Sequence, residues 1–215
     1  MVGALEQNEK RIYHMHIVKR LIAIACVAAG TLQLTGCIAP KLYVDPALGE
    51  SHAADLVKPQ DPQPIQMLFE FRTKGNANAA VTERWRPYIQ QQVEQSGLFS
   101  KVSNEPVSSG RKLMISIDNV PLTPDASQKG FTTGLTFGLV GTTVTDGYVC
   151  KFSYLEPGHD TVTKEVHHAI HATIGNEKSP TGLAPLPPQQ AIETVFRQVV
   201  GKGLEEIDQA SDIAK

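Results

Sequence analysis

The chain is poor in residues that would staple a domain covalently or carry out chemistry. It has three cysteines, Cys26, Cys37 and Cys150, and no two of them stand in a Cys-x-x-Cys pair. A thiolate metal cluster is therefore not expected. There is no Gly-x-Ser-x-Gly elbow, no phosphate-cradling Gly-Lys-Ser/Thr loop and no His-Glu-x-x-His, so the sequence signatures of serine hydrolases, P-loop enzymes and zinc proteases are missing. Neither sign of charge dominates, with 20 Lys and Arg against 22 Asp and Glu. A nucleic-acid binder would need a basic face to neutralise phosphates. Only one apolar run stands out, Leu21 to Ala29. It falls far short of the roughly 20 residues of a permanent spanning helix.

That run belongs to an ordered pattern. Lys19 and Arg20 precede it, small residues dilute its end, and Leu34-Thr35-Gly36-Cys37 follows. Basic, then apolar, then small is the order of a secretory signal. The tetrapeptide resembles the lipobox of bacterial lipoproteins. The resemblance implies cleavage after Gly36, with Leu34, Thr35 and Gly36 as the recognition residues. It also implies a diacylglycerol on the Cys37 thiol and a further acyl chain, such as palmitate, on its freed amine. Met15 lies just before the basic cluster, so residues 1–14 are expected to be an upstream start-site extension of a signal spanning residues 1–36. After Cys37 come Ile38-Ala39-Pro40, with no Asp next to the cysteine. In Gram-negative bacteria this resembles lipoproteins released to the outer membrane, and a periplasmic-face location is expected.

Of the charged residues, 4 basic and 2 acidic ones precede Cys37, which leaves 16 against 20 in the mature chain. With Cys26 removed and Cys37 acylated, Cys150 has no partner for an intramolecular disulfide. It lies in a strand-like run and reads as a small buried apolar residue. No cofactor is expected beyond the covalent lipid.

Residues 37–64 are rich in Pro, Asp and Ala without a period and read as a partly flexible tether. Residues 65–209 read as one domain, and 210–215 as a tail. From Ile65 to Arg72, Ile, Met, Phe and Phe occupy alternate positions, as in a half-buried strand. Ala79 to Ser96 reads as a helix through Val81, Trp85, Ile89, Gln92 and Val93. Pro87 predicts either a kink or a second helix start. Gly97 is placed to terminate it, and Leu98 to Val102 reads as a short strand. Leu113, Ile115 and Ile117 mark a strand over 112–120. Strands over 149–155 and 161–174 flank the turn at Glu156-Pro157-Gly158. After a proline-rich linker, Ile192, Val195, Phe196, Val199 and Ile207 stripe a final helix from Gln189 to about Gln209. The expected fold class is α+β: a mixed or antiparallel sheet of about four to six strands, with two helices on one face.

This element order, with Ser96-Gly97-Leu98-Phe99 after a helix, is similar to small periplasmic domains of outer-membrane lipoproteins. The lipopolysaccharide-assembly lipoproteins and the periplasmic domain of the curli secretion channel lipoproteins are examples. The resemblance implies a fold and transfers no site residue.

The segment from Gly130 to Thr145, GFTTGLTFGLVGTTVT, contains no charge. As a strand it puts Phe131, Leu135, Phe137 and Leu139 on one face, with Thr133 among them. As a helix it spaces Gly130, Gly134 and Gly138 by four, for close backbone approach. Hairpin and helix both remain open. A glycine-rich element packed on its own domain stands against a partner- or membrane-contacting one.

His167, His168 and His171 form the one histidine cluster. Flanking β-branched residues place it on a strand, with His167 and His171 on one face, roughly 13 Å apart, and His168 on the other. Structural or surface roles fit this better than a metal site. Asp118, Asp125 and Asp146 read as turn and strand-end acids.

The functional expectation is a non-enzymatic outer-membrane lipoprotein that binds or assembles another envelope component. The expected contacts are an exposed sheet edge and the 130–145 segment. The alternatives are a subunit of an oligomeric secretion or assembly complex, with that segment packed between subunits or inserted, and an envelope hydrolase or metal protein.

Overall fold

In the computed structural model of the chain, the described residues are 41–122, 144–173, 182–211 and 213. Their elements are β1 (Lys41–Val44), β2 (Ile65–Thr73), β3 (Asn76–Ala77), α1 (Ala79–Gln95), β4 (Val102–Ser103), β5 (Lys112–Pro121), β6 (Val144–Leu155), β7 (Val162–Thr173) and α2 (Pro188–Ser211). The class is α+β, as expected. All seven strands join one mixed sheet in the order β1-β7-β6-β5-β2-β3, with β4 also on β2.

The β2–β5 pair is parallel, Gln66 opposite Lys112 through Thr73 opposite Asn119. A parallel neighbour requires a crossover rather than a hairpin, and α1 supplies it. Beyond β5 the chain meanders, antiparallel from β5 to β6 and from β6 to β7.

Alternation decides which face is covered. Met67, Phe69 and Phe71 of β2 line up with Leu113, Ile115 and Ile117 of β5. These in turn face Tyr154, Phe152 and Cys150 of β6, and all nine are buried. Both helices lie on this face. α1 presents Trp85, Ile89 and Val93, and α2 presents Val195, Phe196, Val199, Val200, Leu204 and Ile207. Gly203 lets α2 lie against the sheet: a Cβ there would stand 2.6 Å from Phe152 Cζ, inside any van der Waals contact.

α1 runs unbroken through Pro87, and the proline, on its exposed side, withholds one backbone donor. Asn78 caps its start by accepting from the Val81 N–H at 3.2 Å. Gly97, at φ 67°, ends it with its N–H on the Glu94 carbonyl at 3.1 Å. That left-handed conformation is cheap only for glycine.

Two sequence expectations need correction. The strand over 98–102 reduces to Val102–Ser103, because Leu98 and Phe99 turn inward and are buried. The tether over 37–64 is too long: Lys41–Val44 is a sheet strand, opposite Thr173 to Ile170 of β7. Single turns at Pro46–Leu48 and Ala53–Asp55 follow it.

Candidate functional site

β1 is an edge strand held from several sides. Leu42 accepts from the Leu186 N–H at 2.8 Å on its outer edge, and the Asp45 N–H donates to the Ala169 carbonyl at 3.0 Å. Asp45 then closes a buried clasp. Its Oδ1 accepts from the Ala47 N–H at 2.9 Å, capping the Pro46–Leu48 turn. Its Oδ2 lies 2.9 Å from His171 Nε2. The two side chains are only 0% and 5% exposed. A buried carboxylate is tolerable only when hydrogen-bonded or paired, and this one has both a backbone donor and an imidazole. Tyr43, opposite His171 on the same side of the sheet, is fully buried beside it.

The histidines sit on β7 as the alternation requires. His167 Nε2 lies 2.9 Å from Glu165 Oε1. His168, on the helix-covered face, lies 2.6 Å from Gln198 Oε1 through Nε2, and its Nδ1 accepts from the Ala169 N–H at 2.9 Å. The arrangement assigns the proton to Nε2, which donates to Gln198. His167 and His171 share a face without converging on a common site. Among the described residues no group of three or more His, Cys, Asp or Glu could hold a metal. The Asp45 partner of His171 is 126 residues away, beyond any local pattern. One signal did exist: Asp45-Pro46 is a cap residue followed by proline at the first helical position.

Burial pushes the His168 imidazole below its ordinary value. The Gln198 hydrogen bond and the Asp45 charge push the other way, and His171 adds to the lowering. Above about pH 6.5 the ring is neutral in both folded and unfolded chains. As pH falls from there toward the lower folded value, the unfolded chain takes up a proton that the folded chain resists, and stability declines. The denaturant midpoint should therefore fall between pH 7 and 5.5, and His168→Gln should flatten that slope. An unchanged slope in the variant would refute the assignment.

Among the described residues, no helix packs on the opposite face of the sheet. Leu68 and Met114, 40% and 37% exposed, lie next to each other on β2 and β5. With Glu70, Ser116, Lys151 and Ser153 they line a shallow cavity of about 290 Å3. Glu165 lies 3.9 Å from Lys151, and Arg72 3.5 Å from Glu70. Exposed pairs of this kind add little stability.

A second cavity, about 420 Å3, lies where β6 ends and β7 begins, lined by Arg111, Tyr154, Glu156, His159 and the end of α2. Three of its polar groups are committed to one another: Arg111 donates to Glu156 Oε1, and Tyr154 Oη donates to Oε2 at 3.1 Å. Burial pushes the Tyr154 hydroxyl up to about 12. For Glu156, burial is outweighed by the Arg111 and Tyr154 bonds, which hold its carboxyl below the ordinary range. Cys150 is fully buried, and burial raises its thiol, so it is protonated and unreactive at neutral pH.

Asp118 accepts from the Gly75 N–H at 3.0 Å, the turn role expected of it. Asp146 lies exposed on β6. Leu34, Thr35, Gly36 and Cys37 lie outside the described residues, as do Asp125, Phe131, Leu135, Phe137 and Leu139.

No family model matches this chain, and no curated protein matches it. Among solved structures, it is similar to the crystal structure of the rare lipoprotein B from Shewanella oneidensis. The identity is 9% and the TM-score 0.33, over 70% of this chain and 97% of that one.

Proposed function

We propose that the protein is a lipid-anchored, non-enzymatic component of the cell envelope. Acyl chains on Cys37 hold the α+β domain at the periplasmic face of the outer membrane, where it binds or assembles another envelope component. The observation that carries this reading is Leu34-Thr35-Gly36-Cys37 in register behind Lys19-Arg20 and the apolar run from Leu21. Each buried methylene contributes about 0.8 kcal/mol, so two or three chains give a firm anchor where one would not. The binding role is supported by the commitment of the cavity groups around Glu156 to one another, which leaves Arg111 and Tyr154 no evident chemistry to perform.

Expression of the full chain in a Gram-negative host with labelled palmitate tests the anchor. The mature protein should begin at Cys37, carry label, and stay with membranes through carbonate extraction. Cys37→Ser should incorporate no label and move almost entirely to the soluble fraction. Retention of the unlabelled variant on carbonate-washed membranes would overturn the reading.

A further inference from the structure

We propose that the anchored domain stands end-on, with the β1–β7–β6 end of its sheet against the lipid surface and the Arg111–Glu156 cavity at the end facing away. The proposal rests on acylation at Cys37 and adds an orientation to it.

The length of the leash comes first. A tether over 37–64 would have been 28 residues long, with a root-mean-square reach of about 30 Å, and would have left the domain free to tumble. Instead, sheet structure begins at Lys41. The chain from Cys37 to Lys41 spans at most about 14 Å even when fully extended. The strand it feeds cannot easily lengthen that leash, because the Asp45–His171 clasp and the Leu42–Leu186 bridge fix it on both edges.

The direction of the strands comes second. Lys41 lies opposite Thr173, the last residue of β7, and Ala172 lies opposite Val144, the first residue of β6. Lys41, the end of β7 and the start of β6 therefore share one end of the sheet. β5 reaches the same region through Pro121, opposite Asp146. The chain that joins β5 to β6 departs from and returns to this end. The Glu156–His159 turn lies at the other end. From the row of Asp146 and Ile170 to Asp160 is ten residues of β7 and its lead-in, roughly 33 Å along the strand.

The test uses the acylated full-length protein, purified from host membranes and reconstituted in phosphatidylethanolamine–phosphatidylglycerol vesicles doped with a nickel-chelating lipid. Nitroxides are attached at Asp146→Cys or Asp160→Cys, both exposed positions; buried Cys150 does not compete for label. Relaxation enhancement by the nickel lipid should be several-fold greater at 146 than at 160. A 20-residue Gly-Ser insertion between Ala39 and Pro40 should largely abolish that ratio. Equal or reversed enhancement in protein whose mass shows the acyl chains would overturn the orientation and leave the lipoprotein reading intact. A mass showing bare Cys37 would overturn both.

Discussion

Phe196→Ala should lower the unfolding free energy by about 3–5 kcal/mol, the usual cost of emptying a buried phenylalanine site. The ring is fully buried and ties three elements together. Its centroid lies 5.0 Å from Trp85 of α1, 6.2 Å from Phe71 of β2 and 6.2 Å from Tyr148 of β6. The Trp85 and Tyr148 contacts are edge-on, at interplanar angles of 84° and 88°, which suits the positive edge and negative face of aromatic rings. Removing it takes away the piece on which both helices and the sheet converge, so little can collapse into the hole. Domains of this kind are stable by only about 5–15 kcal/mol, so about a fifth or more of the margin should disappear. The melting temperature should drop by roughly 6–20 °C at a scale of about 2–4 °C per kcal/mol. Val57, 73% exposed, is the control: Val57→Ala should change stability by no more than about 0.5 kcal/mol. A Phe196→Ala midpoint close to wild type would mean that α2 is not docked through this ring.

The core that Phe196 organises was legible in the sequence because burial there is one-sided. Met67, Phe69 and Phe71 alternate with exposed Leu68 and Glu70 because α1 and α2 both pack on the same face, and a period of two is what such a strand must show. The α2 stripe follows from the same asymmetry at a helical period. Gly97 was readable because a helix end needs one residue in a left-handed conformation. What escaped was structure whose cause is remote. β1 is four residues long, too short to display a period, and it forms because β7, far along the chain, offers it an edge. Asp45 and His171 meet across 126 residues, so their pairing cannot be read from the sequence around either one. The short strand expected from Leu98 failed for a related reason: Leu98 and Phe99 are apolar enough for a strand, but the core beside α1 takes both side chains.

Asp45→Ala should be a strongly disruptive polar change, at a cost of about 3–5 kcal/mol, because it removes a buried carboxyl that both the Ala47 N–H and His171 bond and each lost buried hydrogen bond costs about 1–3 kcal/mol. Three losses coincide. His171, 5% exposed, loses its carboxylate. The Ala47 N–H loses its cap. The turn that directs the chain away from β1 loses the side chain that shaped it. Asp45→Asn separates these contributions. Its amide oxygen can still accept from Ala47 or from His171, but it carries no charge, so it should cost clearly less, about 1–3 kcal/mol. Global stability is one readout, and local opening is the more specific one. In Asp45→Ala, amides of Tyr43 and Val44 should exchange far faster than those of Ile115 and Phe152 in the sheet centre, and proteases should cut near Gly49. The consequence reaches the membrane. Once β1 peels away, the leash lengthens from three residues toward the whole stretch before Ile65, and the nitroxide contrast between positions 146 and 160 should shrink as it does with an inserted linker. If the strand stays protected and the contrast survives, the clasp is not what fixes the anchor, and the two bonds of Asp45 matter less than the backbone ladder beside them.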